Sequence, residues 1–250
     1  MARPAMLPAA AVALCAAVLA LAALDGGVRA QQLSPGYYDD SCPHVYDTVS
    51  VELAGGPYWR VMLGRRDSKA ADFDGAQNLP DPKESLKDLK KKFADVGLDD
   101  TDFVALQGAH TIGRAQCQSI QDRLYNFSST EQPDPTLDHG YLAALRQRCP
   151  AAAPGDDGTA LNDLDPATPD TFDNSYYANI QCNRGLLRSD QAMLSAPEEG
   201  AESTAPIVGR FAHSQAEFFQ SFATAMIKMG NIAPLTGSMG EVRRDCRVVN

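Results

Sequence analysis

Apolar residues at helical spacing are the feature that most constrains the fold of this chain. Leu86, Leu89 and Phe93 recur every three or four positions, which places them on one face of a helix. A later apolar run from Phe218 to Met229 stops at Gly230, next to an asparagine. Glycine and asparagine are typical of a helix C-terminus. These patterns predict an all-α fold.

The charge balance argues against two classes of partner. The chain has 250 residues and a net charge of −10 at pH 7. Nucleic acids and anionic membrane surfaces are bound through a basic face that neutralises phosphates, so we expect neither as a partner. The run Lys90 to Lys92 falls opposite the apolar face of its helix, and we interpret it as a solvent-exposed surface.

Residues 1–30 have the features of a secretory signal peptide. Arg3 lies in a short basic start, an apolar run extends from about Ala9 to Leu24, and Val28-Arg29-Ala30 is a small-residue cleavage site. A transmembrane helix is the alternative, but the apolar run ends short of a bilayer span. We therefore predict a secreted chain without a membrane-spanning segment. The length of residues 31–250 suits one domain or two small lobes around a single core. Asn126-Phe127-Ser128 is a glycosylation sequon suited to that compartment.

The segment ALQGAHTIGRAQC contains the main candidate for a functional residue, His110. Asp99 to Asp102 supply a cap and negative charge at a helix start, and Phe103 begins the apolar part of that helix. Gly108 and Ala109 are small, so we expect a flat surface beside His110 that a broad planar group can approach. Taken alone, a single histidine in a helix is more often structural than a ligand. Both interpretations stay open on these residues.

Several segments in register resemble the secreted haem peroxidases of plants, the class III family. They are GGPYWRVMLGRRD, GAHTIGRAQC, FDNSYYANI, RGLLRSDQ and MGNIAPLTG with GEVRRDCRVVN. The resemblance covers residues 50–250 almost continuously, and also LSPGYYDDSCP at 33–43. It implies the haem peroxidase fold, hydrogen peroxide as oxidant and small phenolic donors. It also implies a monomer, an extracellular or cell-wall location, and a part in peroxide removal under oxidative stress.

The resemblance implies that His110 is the axial ligand of haem b. A histidine in this role donates a ring nitrogen to the iron. Asp190 in SDQ matches the carboxylate that accepts the other ring N–H and makes the imidazole a stronger donor; its alternative role is a helix cap. Arg114 and Gln116 match positions near a haem propionate, and Pro80 of NLP matches a proline that contacts the donor.

A calcium site beside His110 is also implied by the resemblance. All its ligands are oxygen donors, as a hard cation requires. They are the side chains of Thr111, Asp165, Thr168 and Asp173 and the carbonyl of Thr171. By composition alone, DPATPDTFD is typical of a turn-rich loop.

One part of the family pattern is missing. In the family, the stretch before GGPYW carries an arginine and a histidine on the distal side of the iron, and a second calcium site. Here YDTV runs directly into SVELAGGPYW at Val49-Ser50. We divide the domain into an N-terminal remnant, 31–49, and a proximal portion, 50–250, and identify no catalytic residue. The clean join is more typical of a skipped exon or a mis-spliced gene model than of gradual divergence.

Two hypotheses about function follow from that gap. Peroxide cleavage needs a group that accepts and returns a proton, and a donor that stabilises charge on the leaving oxygen. Without them we expect either a peroxidase with little turnover or a non-catalytic remnant that binds calcium and haem.

The other histidines of the mature chain are candidates for the missing distal role. His44 precedes the first helix, and His139 lies in a loop-like TLDHG. Arg210 and His213 resemble the missing pair in spacing alone.

Two kinds of residue lose their family partners with the missing segment. The sequence contains 6 cysteines, of which Cys15 belongs to the predicted signal peptide, so an odd number remains. The resemblance implies a disulfide between Cys117 and Cys149. We expect Arg65 to lose a carboxylate partner with the missing segment, which leaves a buried or half-buried charge exposed or unpaired. Cys42 and Cys246 match cysteines whose family partners lie in the missing segment, and Cys182 occupies a place not associated with a family cysteine. The cysteines left to stay free, mispair or bridge chains are therefore Cys42, Cys182 and Cys246.

Overall fold

The computed structural model describes residues 33–37, 40–41, 55–151, 158–195 and 199–250. The predicted signal peptide, Cys42, His44 and the join at Val49-Ser50 lie outside these residues. None of the helices within them is long and apolar enough to cross a membrane.

Helices make up most of the regular secondary structure in the described residues. The α-helices are α1 Phe73–Ala76, α2 Leu86–Asp95, α3 Asp100–Gln107, α4 Gln121–Tyr125, α5 His139–Arg148, α6 Ser175–Gln181, α7 Arg188–Ala192, α8 Ala201–His213 and α9 Gln215–Gly230. Short 3-10 turns cover Gly108–Thr111, Cys117–Ser119, Phe127–Ser129 and Gly237–Met239. Strands β1 Arg114–Gln116 and β2 Leu161–Asp163 pair antiparallel, with Ala115 opposite Asn162. The prediction of an all-α fold is confirmed, since this ribbon has only three residues a side.

Helix α2 confirms the predicted apolar face and corrects the predicted lysine face. Leu86 and Leu89 are buried, and the side chain of Ser85 caps the helix. Lys91 is exposed, but Lys90 and Lys92 are half-buried. Lys90 lies 3.0 Å from Asp100 and donates to Ser203, and Lys92 pairs with Glu84. The lysine run therefore ties α2 to neighbouring segments, and only its middle residue is solvated.

The main core lies where α3, α6, α8 and α9 meet, and it is built largely from aromatic rings. The ring of Tyr177 packs edge-to-face on Phe218, with centroids 5.0 Å apart. A Cβ atom on Gly108 would overlap both the Tyr177 hydroxyl and the Phe218 ring. The expectation that Gly108 keeps a surface open beside His110 is therefore wrong, because this glycine is buried against the core.

A smaller core holds the segment around α4 and α5. The predicted disulfide between Cys117 and Cys149 is confirmed, with Cα atoms 5.5 Å apart, and both cysteines are buried among leucines of this core. His139 is the first residue of α5, so its predicted loop position is wrong. The side chain of Asp138 caps this helix by accepting from the backbone N–H of Tyr141.

The last helix, α9, ends where the sequence predicts. Phe211 of α8 and Phe218 and Phe222 of α9 are buried, and α9 stops at Gly230. Arg65 is exposed and donates to the Gly230 carbonyl. Its exposure is one of the two outcomes expected for this residue, and the loss of a carboxylate partner stays a prediction. A cation at this helix end is favoured by the helix dipole.

Candidate functional site

His110 lies in the 3-10 turn that follows α3. Helix α3 starts at a reciprocal cap, in which Asp99 and Asp102 each accept the backbone N–H of the other. At its far end, the close approach of Gly108 to the aromatic core fixes where the turn begins. The His110 side chain is 27 % exposed, and its Nδ1 lies 2.8 Å from Oδ1 of Asp190. The ring is thus held on one edge and open on the other.

Asp190 is fully buried on α7 and is surrounded by donors. Its Oδ1 accepts from His110 and from the hydroxyl of Tyr176 at 2.9 Å. Its Oδ2 accepts the backbone N–H of Leu187 at 2.8 Å, which caps α7. Both roles considered for Asp190, helix cap and histidine partner, are therefore filled at once by different oxygens. A buried carboxylate is tolerated only when it is paired in this way.

The Asp190 contact determines the state of the His110 ring. Burial disfavours the charged imidazole, but the charge of Asp190 and its hydrogen bond outweigh burial and raise the pKa of His110 above its ordinary value. In the neutral ring, the tautomer with its proton on Nδ1 satisfies this bond. Nε2 then carries the lone pair, and within the described residues it has no hydrogen-bond partner. That nitrogen has the chemistry of a metal ligand.

Oxygen atoms converge directly beside His110. The hydroxyl of Thr111 lies 3.4 Å from Oδ2 of Asp165, 3.4 Å from the Thr171 carbonyl and 3.5 Å from Oδ1 of Asp173. The hydroxyl of Thr168 lies 3.1 Å from the same Asp173 oxygen and 3.4 Å from Asp165. The structure thus brings together all five residues that the sequence predicts as calcium ligands.

The spacing of these oxygens suits a cation better than direct hydrogen bonds. Hydroxyl–carboxylate bonds are about 2.5 to 3.0 Å long, and most separations here are larger. Ligands about 2.3 to 2.6 Å from Ca²⁺ leave neighbouring oxygens roughly 3 to 3.6 Å apart. Oδ1 of Asp165 is occupied by the N–H groups of Ala167, Thr168 and Asn179, which leaves Oδ2 for the cluster. Within the described residues, no group of three or more His, Cys, Asp or Glu is placed so that it could hold a metal ion. The oxygen cluster beside His110 has only two carboxylates.

Arg123 is a structural element of the site that sequence reasoning missed. Its side chain is 1 % exposed, and Nε pairs with Asp134 at 2.8 Å. Its Nη1 donates to three consecutive backbone carbonyls, those of Gly185, Leu186 and Leu187. Leu187 in turn donates to Asp190. The only sequence signal is a charged residue within the apolar register of Ile120 and Leu124, which does not identify the carbonyls.

Three other predicted positions lie in less specific surroundings. Arg114 forms ion pairs with Asp163 at 2.8 Å and Asp170 at 3.2 Å. The side-chain oxygen of Gln116 accepts a hydrogen bond from the side chain of Gln118. These partners are protein groups, so the predicted contacts with a haem propionate stay a prediction. Pro80 is exposed, and its contact with a donor also stays a prediction.

Arg210 and His213, the pair that resembles the missing distal residues in spacing, interact with their own helix and the next. Arg210 pairs with Glu217 at 3.2 Å, and Nδ1 of His213 lies 2.7 Å from the Gly209 carbonyl. Within the described residues, neither contacts His110 or Asp190. The geometry therefore gives no support for a substitute pair.

Several predicted modification positions are at the surface. Asn126 is exposed, and its Oδ1 accepts the N–H of Glu131, which leaves its amide nitrogen accessible to glycosylation. Cys182 and Cys246 are exposed and free.

Several known proteins are similar to this chain in sequence. The family model described as peroxidase matches residues 46–214. Peroxidase 15 of Ipomoea batatas is 52 % identical over 222 residues, covering 85 % of this chain and 66 % of the relative. Peroxidase 54 of Arabidopsis thaliana is 52 % identical over 203 residues, covering 81 % and 55 %. Peroxidase C2 of Armoracia rusticana is 52 % identical over 203 residues, covering 80 % and 57 %. The chain therefore spans less than two thirds of the length of these relatives.

Proposed function

Because the chain belongs to the class III peroxidase family of plants, we propose that it binds haem b through His110 and acts in the peroxide-dependent oxidation of small phenolic donors. The observation that carries this proposal is the contact of 2.8 Å between His110 Nδ1 and buried Asp190. It leaves the lone pair of Nε2 free for a metal ion. Haem, when bound, supplies the redox-active iron.

The protein groups around His110 hold it ready for that role. Asp190 keeps the proton on Nδ1 and increases electron donation from the ring. The ring of Tyr176 lies edge-on to the imidazole, with centroids 6.1 Å apart, which restricts its rotation. Arg123 holds the loop that leads into Asp190. Together these contacts favour a single orientation of the ligand.

Calcium would act on the same turn from the other side. We propose that Thr111, Asp165, Thr168, Thr171 and Asp173 hold one calcium ion, as the convergence of their oxygens supports. Thr111 adjoins His110, so an ion there fixes the backbone on which the imidazole is carried. Calcium would therefore stabilise haem binding without touching the haem.

A second candidate function is favoured by the sequence itself. The family's distal arginine and histidine have no match in this amino-acid sequence, so proton transfer to and from peroxide lacks its usual groups. The alternative is a non-catalytic protein that binds calcium and haem. A skipped exon or an error in the gene model would produce such a chain.

The setting of the chain follows from the family resemblance and the N-terminal pattern. We propose secretion to the extracellular space or cell wall, with glycosylation at exposed Asn126, and a monomer that takes part in peroxide removal. The exposed thiols of Cys182 and Cys246, together with Cys42, are the positions through which chains would mispair.

Haem reconstitution tests the proposed ligand. The chain is mixed with haem and calcium, and the absorption spectrum is compared with those of His110→Ala and His213→Ala. We expect a histidine-ligated haem band in the unchanged chain and in His213→Ala, and its loss in His110→Ala. Retention of the band in His110→Ala would show that the ligand is a different residue.

A further inference from the structure

Tyr176 shares an acceptor atom with His110. Its hydroxyl donates to Oδ1 of Asp190 at 2.9 Å, and His110 Nδ1 contacts the same oxygen at 2.8 Å. We infer that Tyr176 is a positioning residue that limits the basicity of Asp190 and so sets how strongly His110 donates to iron. This inference rests on the proposed ligand role of His110.

The electrostatic argument begins with the number of donors. Hydrogen bonds to the ionised form of a carboxylate stabilise its charge and lower its basicity. Oδ2 of Asp190 already accepts the Leu187 N–H, so the Tyr176 hydroxyl adds a second donor that does not come from the histidine. With both donors present, Asp190 pulls less strongly on the Nδ1 proton of His110. The imidazole then has less imidazolate character and is a weaker donor.

Tyr176 is well suited to be a permanent donor. It is 1 % exposed. Burial, followed by the charge of Asp190, raises the pKa of Tyr176 well above its usual value, so the phenol keeps its proton. The ring also packs edge-to-face on Tyr177, with centroids 5.0 Å apart. Its hydroxyl is therefore held against Asp190 through the working pH range.

Removing this hydroxyl should have the opposite effect to neutralising Asp190. In Tyr176→Phe, Asp190 loses one donor and pulls harder on the Nδ1 proton. The iron–imidazole bond then becomes stronger, and the iron reduction potential falls. In Asp190→Asn the negative charge is gone, so the bond weakens and the potential rises. A purely structural role for Tyr176 gives no reason for these opposite directions.

Tyr177 offers a matched control in the next position of α6. It is also buried, but its hydroxyl donates to the Val104 carbonyl at 2.9 Å and not to Asp190. Tyr177→Phe therefore removes a buried phenol hydroxyl from the same core and leaves the carboxylate untouched. A general loosening of the core would appear in both variants.

The experiment compares the full chain with Tyr176→Phe, Tyr177→Phe and Asp190→Asn after haem reconstitution. The measurements are the iron–imidazole stretching frequency of the ferrous form and the reduction potential. We expect Tyr176→Phe to raise the frequency and lower the potential, Asp190→Asn to do the reverse, and Tyr177→Phe to match the unchanged chain. The inference would be overturned if the frequency and potential of Tyr176→Phe matched those of Tyr177→Phe. It would also be overturned if they shifted in the same direction as those of Asp190→Asn.

A measurement without haem separates this inference from the proposed function. In the haem-free chain with ¹⁵N-labelled histidine, the Nδ1 proton of His110 is assigned by its loss in His110→Ala. We expect a downfield shift of this proton in Tyr176→Phe and no shift in Tyr177→Phe. Equal spectra for the two variants would overturn the inference. Haem binding by His110→Ala together with a shifted proton in Tyr176→Phe would overturn the proposed ligand and leave only the effect of Tyr176 on Asp190 and the His110 proton standing.

Discussion

The hydroxyl of Thr111 lies 3.4 Å from Oδ2 of Asp165, so the residue after His110 reaches into the oxygen cluster. One peptide link therefore connects the proposed iron ligand to the proposed calcium site. Whatever orders the cluster also orders the backbone that carries the imidazole.

Calcium removal should lower thermal stability and haem retention together. A ligand at 100 times its dissociation constant stabilises the native state by about 2.7 kcal/mol, and Asp165→Ala removes a fully buried member of the cluster. We expect a lower Tm and faster haem loss in this variant and in excess chelator. Asp170→Ala is the control, since Asp170 is exposed and pairs with Arg114. An unchanged Tm in chelator would count against the site.

The pair of His110 and Asp190 should make the haem-free chain less stable as the pH rises above neutrality. Burial opposes charge on His110, but Asp190 outweighs it and raises the pKa above the ordinary value of 6.5. A raised folded-state pKa contributes stability that is fully present below pH of about 6.5 and is lost as the pH rises through the folded value.

The measurement for this pair is chemical unfolding of the haem-free chain between pH 5 and about 9. His110→Gln should reduce the change of unfolding free energy with pH around and above neutrality. His213→Gln should leave that pH dependence unchanged. Haem binding should show the opposite trend, since a doubly protonated ring has no lone pair for iron. Identical pH profiles for the unchanged chain and His110→Gln would contradict this prediction.

Arg123 should be among the most costly positions to change. Removing one partner of a buried ion pair costs about 3 to 5 kcal/mol, because the other charge is left unpaired. We expect Arg123→Met to lose roughly that much unfolding free energy and also to weaken haem binding, because Leu187 would lose its anchor. Arg184→Met is the control, since its pair with Asp138 is exposed and 3.6 Å long. Such pairs contribute about 0 to 1 kcal/mol, and equal losses in the two variants would refute the anchoring role.

The helices could be predicted where burial is periodic. The core requires apolar residues on one side of a helix, and this spacing is seen in α2, at Leu86 and Leu89, and in α9. The spacing therefore predicted both segments as helices and gave their approximate bounds. The family followed from motifs in register. The five proposed calcium ligands come from the same resemblance, and their binding of calcium stays a proposal. The disulfide also followed from that resemblance, and the structure confirms it.

The errors and omissions arise where a contact joins distant residues. Gly108 is a small residue in the sequence, and only the packing shows that it faces Tyr177 and Phe218. Tyr176 and Tyr177 are adjacent and chemically identical, yet one reaches Asp190 and the other reaches a carbonyl. Likewise, the three carbonyls that accept hydrogen bonds from Arg123 are more than 60 residues away from it in sequence. Sequence periodicity contains no information about such pairings.

The disulfide between Cys117 and Cys149 should make a large contribution to stability, whereas the exposed thiol of Cys182 should make a small one. Cys117 and Cys149 are separated by 32 residues, and closing a loop of this length stabilises the native state by about 3 to 4 kcal/mol in the chain-entropy account. Replacing both with serine should lower the unfolding free energy by that order. Cys182→Ser, an exposed change, should stay within about 0.5 kcal/mol. A loss of similar size in both variants, measured by denaturant unfolding, would contradict the prediction.

The last prediction concerns turnover, and it separates the two candidate functions. Acid–base transfer by a positioned side chain contributes about 10² to 10⁴-fold, and loss of a charge-stabilising donor costs about 10² to 10³-fold. Residues that act as a unit do not give multiplicative losses, so we expect a fall of several orders of magnitude relative to an intact family member. The rate of peroxide-driven phenol oxidation should then lie close to that of free haem.

The assay compares the reconstituted chain with free haem, an intact relative and the double variant Arg210→Ala, His213→Ala. A rate near that of free haem in both forms of the chain supports the non-catalytic alternative. A rate near that of the intact relative would contradict our prediction. If the double variant then abolished that rate, Arg210 and His213 would be implicated as a substitute pair, in spite of their present contacts with Glu217 and Gly209.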